Sequence, residues 1–545
     1  MTYSVARLKL SRGNSGLDSK EKSRHRANRP SDSSRLKGDK GLRLLFSAAL
    51  FVAAFQLFLV EPMFAKMVLP LLGGSPSVWN TSILFFQAVL LAGYCYAHWS
   101  TRRWTVARQA VVQLLLIAAG VASLPVRQRF GGHPPATGSP VGWLLAALTI
   151  SLGLPFFVLS TAGPMLQRWF ASTRHTAATD PYFLYRASNL GSMAALVAYP
   201  LLVEPNMRLA GQGAAWGIGY GLFAGATVAA AVAVRLRPAA AGPAPQAHTG
   251  RVPARTKLQW AAWAFVPSSF MLAVTTHITT DLAPIPLLWV LPLAVYLLTF
   301  VLAFSPRPRL SLGFIFKIQP AVLLSALVVW LLPEVPAWGI AVDILALFVA
   351  GMACHGRLAA DRPSAASLTD FYLWVGLGGV LGGAFNVLVA PVVFKTLAEY
   401  PLAIILALLC RPSLSNTKRG QRTLISDAAF VLGVGAAALV VGSLARRGGL
   451  PQTAAIAAAY GVPSLAVLVS SSRPVRMALA VSALVAGGAL AGLKPGNILF
   501  RDRTFFGTQE VQANGSFHQL LHGTTMHGLQ DTRAEARAEP LAYYS

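Results

Sequence analysis

Charge is scarce in this sequence: Asp, Glu, Lys and Arg make up 12% of it against 54% hydrophobic residues, and mean hydropathy is +0.55. A soluble globular class would need far more polar surface, so the composition implies a polytopic membrane protein in a lipid bilayer. Acidic residues are scarcer still, 19 against 46 Lys and Arg, which gives a formal net charge of +27. On a soluble chain that balance would suggest nucleic acid. Here the basic residues sit in the N-terminal stretch and in loops between apolar runs, so they set membrane orientation and no nucleic-acid partner is expected. Cysteine is nearly lacking: Cys95, Cys354 and Cys410 fall in or at the ends of apolar runs with no Cys-x-x-Cys spacing, and read as small packing side chains. No Walker motif, Ser-based triad or metal-ligand cluster is present. Gly376, Gly378, Gly379, Gly382 and Gly383 crowd one apolar run, but Leu381 stands where a dinucleotide loop needs glycine and no strand precedes it. They read as close helix contacts.

What is abundant is the long apolar run. Residues 1–43 are basic and too poor in apolar residues to fold, and the stretch is too long for a secretory signal, so a disordered cytoplasmic tail is expected. Spans then run from Leu44 to Pro62 and from Ser82 to Trp99, with further ones to Leu493, about fourteen in all. Pro401 to Cys410 is also apolar but short for about 30 Å of hydrocarbon. The expected class is an all-α polytopic membrane bundle with a short C-terminal β-strand module. Its parts are a first transmembrane half (44–235), a Pro/Ala-rich linker (236–257), a second half (258–494) and a soluble module (495–545). Two related halves are suggested by one echo. Phe157-Val158 precedes Asp180 by nearly the same span as Phe348-Val349 precedes Asp370, and aromatic residues follow each Asp. From a cytoplasmic N-terminus in a plasma (inner) membrane, the basic loops around Arg102-Arg103, Arg168 and Arg174, Arg235 to Lys257, Arg307 to Lys317, and Arg357 and Arg362 all fall inside. Whether Pro401–Cys410 crosses decides the side on which the C-terminal module emerges.

Ionisable residues in or beside spans are costly and are functional candidates for that reason. They are Glu61, Lys66, Arg186, Glu204, His277 and Asp281. The carboxylates at one membrane face suit a polyamine cation; the alternative is that they sit solvated or paired at the interface and hold loop ends.

After Leu499 the pattern changes to strand alternation, with Phe505, Phe506, Val511, Phe517, Leu520 and Leu521 interleaved with polar residues. Gly507 and Asn514-Gly515 stand where hairpins would turn. A small β-meander outside the lipid is expected. This tail resembles the start of the soluble part of membrane-bound spermidine synthase-like proteins, the polyamine aminopropyltransferase family. The resemblance rests on Arg501, Arg503, Phe505-Phe506-Gly507, His518, His522-Gly523-Thr524-Thr525, His527-Gly528, Gln530, Glu539-Pro540-Leu541 and Tyr543-Tyr544, with further matches between Gln56 and His98.

The resemblance implies transfer of an aminopropyl group from decarboxylated S-adenosylmethionine to a polyamine such as putrescine, with Gln530, Tyr543, Tyr544, His522 and His527 near the substrate cleft. His522 and His527 also suit local hydrogen bonds at turns, and two histidines without a third ligand are weak grounds for a metal. It further implies a Rossmann-like domain after the paired tyrosines, supplied by a longer or separately encoded chain; as given, the sequence stops at Ser545 and is expected to be inactive alone. A second expectation, from a different class, is a membrane transporter or sensor of polyamines or other small cations in which the bundle functions and the tail is a vestige. A structural anchor is the third.

Overall fold

The computed structural model of the chain describes residues 32–126, 134–135, 139–179, 182–236, 252–282, 286–305, 310–332, 335–363, 367–412, 421–469, 472–493, 497–523, 525–533, 535 and 541. Helix α1 covers Asp32–Leu72 and runs through Pro62 and Pro70, so it starts inside the stretch expected to be disordered and ends well beyond Pro62. A proline removes one backbone donor, a loss that neighbouring groups make good inside a packed span. Helices α2 (Pro76–Arg103), α3 (Val106–Ala122), α4 (Val141–Ala171), α5 (Tyr182–Ala198) and α6 (Leu209–Leu236) follow. The second series is α7 (Ala254–His277), α8 (Val290–Ala303), α9 (Leu312–Trp330), α10 (Gly339–Ala360), α11 (Leu368–Ala384) and α12 (Glu399–Leu409). Helices α13 (Gln421–Arg447), α14 (Gln452–Val469) and α15 (Pro474–Leu490) complete the bundle. Among the described residues, 10 helices are long and apolar enough to cross a membrane, and Val106–Ala122, Val290–Ala303, Glu399–Leu409 and Pro474–Leu490 are shorter apolar helices. Each expected span carries a helix.

The first twelve helices repeat as two parallel sets of six. Helix α5 has 17 residues, then a five-residue π-turn at Tyr199–Val203 and a short helical piece, Glu204–Asn206. Helix α11 has 17 residues, then a five-residue π-turn at Phe385–Val389 and a short helical piece, Ala390–Val393. Within each set the first helix packs along the fifth, α1 on α5 and α7 on α11. In each pair a glycine permits it: a Cβ at Gly191 would collide with the Phe51 carbonyl oxygen, and one at Gly378 with the Ala261 carbonyl oxygen. Between the sets, α2 packs on α11 and α5 on α8. Such reciprocal pairing of second and fifth helices is what a two-fold axis along the membrane normal produces. The linker expected at 236–257 is shorter than its bounds, since α7 begins at Ala254; residues 237–251 lie outside those described, as does Asp180.

Helix α12 has 11 residues yet joins both ends of the bundle. Tyr400 stacks on Trp330 at the end of α9, while the Cys410 carbonyl accepts from Arg357 and Arg411 donates to the Phe316 carbonyl near the start of α9. Packed against α7, α9 and α15, it is shielded by protein and does not need the full hydrocarbon length.

The C-terminal module is a four-stranded antiparallel meander of order β1-β2-β3-β4, with β1 Asn497–Thr504, β2 Gly507–Asn514, β3 Phe517–His522 and β4 Thr525–Asp531. All three hairpins close with two-residue loops, since Thr504 pairs Gly507, Asn514 pairs Phe517 and His522 pairs Thr525. The middle loop is Gly515-Ser516 and not the expected Asn514-Gly515: Gly515 takes the positive φ of 60°, and Asn514 remains the last residue of β2. The meander is seated on the bundle. Ser75, between α1 and α2, donates to the Phe505 carbonyl at 2.9 Å, so the module lies at the end of the bundle opposite Arg102 and Arg103. A cytoplasmic transferase would need the end that carries the basic loops.

Candidate functional site

The two reciprocal seams each bring polar aromatics together toward the basic end of the bundle, near Asp370. Tyr94 comes from α2, Tyr185 from α5, Tyr296 from α8 and Tyr372 from α11, one from each seam helix. Ring centroids lie 5.9 Å apart for Tyr94 and Tyr372 and 6.1 Å for Tyr185 and Tyr372, and Tyr296 lies close enough to Tyr94 and Tyr185 to interact with both. All four are half-buried. Gly376 leaves room for the Tyr94 ring at 3.4 Å from where a Cβ would stand. Asn189 hydrogen-bonds Tyr185, and Tyr296 packs edge-on to His355, which is itself fixed by Thr299 at 2.8 Å. Rings of this kind present π faces that attract a cation. At the basic end of the same seam Asp370 gathers His98, Arg102 and Lys257 at 3.6, 3.6 and 3.7 Å.

At the other end the β module completes a second polar region. Arg503 of β1 donates through both terminal nitrogens to Glu399, at 2.9 and 2.6 Å, and also to the Thr396 carbonyl at 2.8 Å. Next to Glu399, the Tyr400 hydroxyl donates to Asp343, whose second oxygen lies 3.5 Å from His277 Nε2. His277, Asp343 and Tyr400 are fully buried between α7, α10 and α12. Beside them a cavity of about 460 Å³ is lined by Asn80, Thr81, Thr276, Asn386 and the β1–β2 hairpin from Arg503 to Phe505. The Asn80 amide donates to Thr276 at 2.9 Å, and the Asn386 amide to Ser269 at 2.7 Å and to the Gly382 carbonyl at 3.0 Å. Their carbonyl oxygens, and the Thr81 hydroxyl, have no hydrogen-bond partner among the described residues.

The residues singled out from sequence are scattered over this frame. Glu61 lies buried within α1, not at its end, and its Oε2 has no hydrogen-bond partner among the described residues. Lys66 forms an ion pair with Glu204 from the end of α5, which ties α1 to the π-turn segment. Arg186 is exposed, and His277 belongs to the buried set with Asp343 and Tyr400. Asp281 lies in the π-turn Ile278–Leu282, and its side chain is outside the described residues. His522 hydrogen-bonds the Phe506 carbonyl at 3.0 Å, and its ring packs edge-on to His527 at 5.5 Å. Gln530 is exposed on β4; Tyr543 and Tyr544 lie outside the described residues. No group of three metal-ligating side chains occurs among the described residues. Sequence reasoning passed over Asp343, although an acid inside the run Trp338–Cys354 carried the same signal as Glu61. It also passed over Tyr94, Tyr185, Tyr296 and Tyr372, which only the pairing of the halves brings together.

No protein-family model matches the chain, and no curated protein matches it. Among solved structures it is similar to a POT family transporter in complex with 5-aminolevulinic acid, at 14% identity over 68% of this chain and 94% of that one, with a TM-score of 0.41. It is also similar to a bacterial homolog of the human lysosomal transporter Spinster in an inward-facing and occupied conformation, at 12% identity over 85% and 97%, with a TM-score of 0.38. The resemblance to membrane-bound spermidine synthase-like proteins is thereby corrected: neither comparison returns such a protein, and the similar solved structures are transporters. The residues that carried it serve the bundle instead. Arg503 binds Glu399, the Phe505 carbonyl accepts from Ser75, and Gly507 and Gly523 turn the hairpins. With it go aminopropyl transfer and the Rossmann-like partner. The tail, a vestige in the transporter expectation, contributes Arg503, Thr504 and Phe505 to the cavity wall.

Proposed function

We propose that this protein carries small amine-bearing cations, polyamines among them, across the membrane, with the four tyrosines as the solute's central contact. The observation that carries the reading is the convergence of Tyr94, Tyr185, Tyr296 and Tyr372 from the four helices that form the two seams. Those seams are where duplicated carriers rock one half against the other, and the tyrosines lie on both of them toward the Asp370 end. A cation in such a box gains about 0.5 to 2 kcal/mol from a well-placed ring. The excess of Lys and Arg in the basic loops favours the cytoplasm for their end and the opposite face for the β module. The Asp370 cluster bridges α2, α7 and α11 at the inner end, and the Arg503–Glu399 pair does the same between module and bundle at the outer end. Each is placed to hold one side shut.

The test is uptake of radiolabelled putrescine into vesicles reconstituted with the full chain. Uptake above protein-free vesicles is expected. Tyr372→Ala or Tyr185→Ala should raise KM about tenfold, from the loss of about 1 to 2 kcal/mol of ring attraction, and Tyr→Phe at the same positions should keep most of the activity. Uptake equal to that of protein-free vesicles would overturn the reading; saturable binding without uptake would favour a sensor.

A further inference from the structure

We infer that Asp370 is the carboxylate that receives the solute's terminal ammonium, and that Lys257 keeps its place when no solute is bound. The inference rests on the transport reading above and narrows its substrate class to diamines. The side chain of Lys257 is a primary ammonium on a four-carbon stem, the same group that one end of putrescine presents. Its Nζ stands 3.7 Å from Asp370 Oδ2. Beside the other oxygen, Oδ1, His98 Nε2 and Arg102 Nη2 each stand 3.6 Å away. All three distances exceed the roughly 2.7 to 2.9 Å of a closed charge-assisted hydrogen bond, so basic groups surround the carboxylate and none grips it.

These partners are able to leave. Arg102 keeps 64% of its side chain exposed, and an ion pair that open to water contributes little. Asp370 and Lys257 retain 18% and 23%, so an incoming ammonium can reach the carboxylate and the displaced lysine can reach water. His98 stays, because Thr369 Oγ1 lies 2.9 Å from its Nδ1. Exchange of one primary ammonium for another leaves the charge at Asp370 unchanged, whereas a cation added beside both Lys257 and Arg102 would meet repulsion. Release of Lys257 also frees the first turn of α7 from that of α11, so the solute itself loosens the inner latch. The tyrosines set where the second ammonium goes. Tyr94 and His98 share one face of α2, one turn or about 6 Å apart along its axis. Each meets α11: Tyr94 at Tyr372, with ring centroids 5.9 Å apart, and His98 at Asp370. Rings and carboxylate therefore form two successive levels of one seam. An extended four-carbon diamine separates its nitrogens by about one such level, so one ammonium pairs with Asp370 while the other lies against the rings. A monoamine fills one level only.

Equilibrium binding of radiolabelled putrescine to the purified full-length chain, displaced by unlabelled putrescine or by butylamine, reads both levels. Wild type should prefer the diamine about tenfold, the worth of one hydrogen bond to a charged group. Asp370→Asn should weaken putrescine about tenfold and butylamine far less, which erases the preference; a merely structural role for Asp370 would weaken both amines alike. Lys257→Gln removes the competitor and should tighten putrescine several-fold. If thermal unfolding shows that Asp370→Asn does not fold, Lys257→Gln decides alone. Wild type without the preference, Asp370→Asn that keeps it, or Lys257→Gln that fails to tighten putrescine would overturn the role of Asp370 and leave transport standing. Absence of both putrescine binding and putrescine uptake in wild type would overturn transport as well.

Discussion

Arg503 of the first strand and Glu399 at the start of α12 form a two-pronged ion pair whose side chains are 8% and 2% exposed. It joins the water-facing module to the bundle where water hardly reaches. Removing one member of such a pair strands the other charge and costs about 3 to 5 kcal/mol, whereas replacing both with apolar residues is far milder. Arg503→Ala and Glu399→Ala should each loosen the module on the bundle, read as protease cleavage between α15 and β1 in protein that is otherwise folded. The paired change Arg503→Met with Glu399→Met should restore most of the protection. Equal sensitivity in the single and paired variants would show that the ion pair does not hold the module.

The glycines of α11 differ in what they touch. A Cβ at Gly378 would strike the Ala261 carbonyl oxygen and one at Gly382 would stand 2.6 Å from the Phe265 carbonyl oxygen, but one at Gly379 would meet nothing within 4 Å. Gly378→Ala should therefore cost about 1 to 3 kcal/mol by forcing α7 and α11 apart. Gly379→Ala should stabilise the helix by roughly 0.5 to 1 kcal/mol, since glycine is the poorer helix former. Thermal unfolding of the two variants in one detergent gives the comparison. A Gly378→Ala protein as stable as wild type would refute the close approach.

Much of this was legible because apolar runs and strand alternation are local signals. The run from Ser82 to Trp99 had to be a helix, and Phe505 to Leu521 had to alternate. The echo around Asp180 and Asp370 joins the runs that hold α4 and α5 to those that hold α10 and α11, the helices that occupy matching places in the two sets of six. What was not legible depends on contacts between distant positions. Nothing local tells that Lys66 reaches Glu204 and not Glu61, that Arg503 meets Glu399, or that Tyr94 and Tyr372 share a space. The short run Pro401–Cys410 stays open for the same reason: its length speaks to a crossing only for a helix that faces lipid, and α12 packs against α7, α9 and α15. The transferase resemblance failed because glycines and arginines that turn and anchor any small sheet were taken for marks of a substrate cleft.

Asp531, the last residue of β4, is held by Arg533, which donates through its backbone and its guanidinium at 2.5 to 3.1 Å. Those hydrogen bonds hold the carboxyl below its ordinary value. A group depressed in the folded state stabilises it above the unfolded pKa of about 3.9, and that contribution is lost as pH falls through the folded value. The protection of β3 and β4 amides, corrected for intrinsic exchange, should be constant near neutrality and decline in acid below about pH 4. Asp531→Asn should flatten the decline. An unchanged acid profile in that variant would assign the effect to another carboxylate.

Orientation follows from where the basic residues lie relative to the Ser75–Phe505 contact. Arg102, Arg103, Arg168, Arg174, Arg235, Arg255, Lys257, Arg357 and Arg362 occupy one end of the bundle, against Arg208, Lys395, Arg446 and Arg447 at the end that carries the sheet. By the positive-inside rule the richer end is expected in the cytoplasm and the sheet outside. Cys95, Cys354 and Cys410 are unpaired and can be replaced by serine or alanine to give a cysteine-free background. Asn514→Cys, at an exposed position beside the middle hairpin loop, should then react with a membrane-impermeant maleimide on intact cells. Arg235→Cys, exposed at the opposite end, should react only after the membrane is opened. Labelling of Arg235→Cys and protection of Asn514→Cys in intact cells would invert the topology and place the outer cavity on the cytoplasmic side.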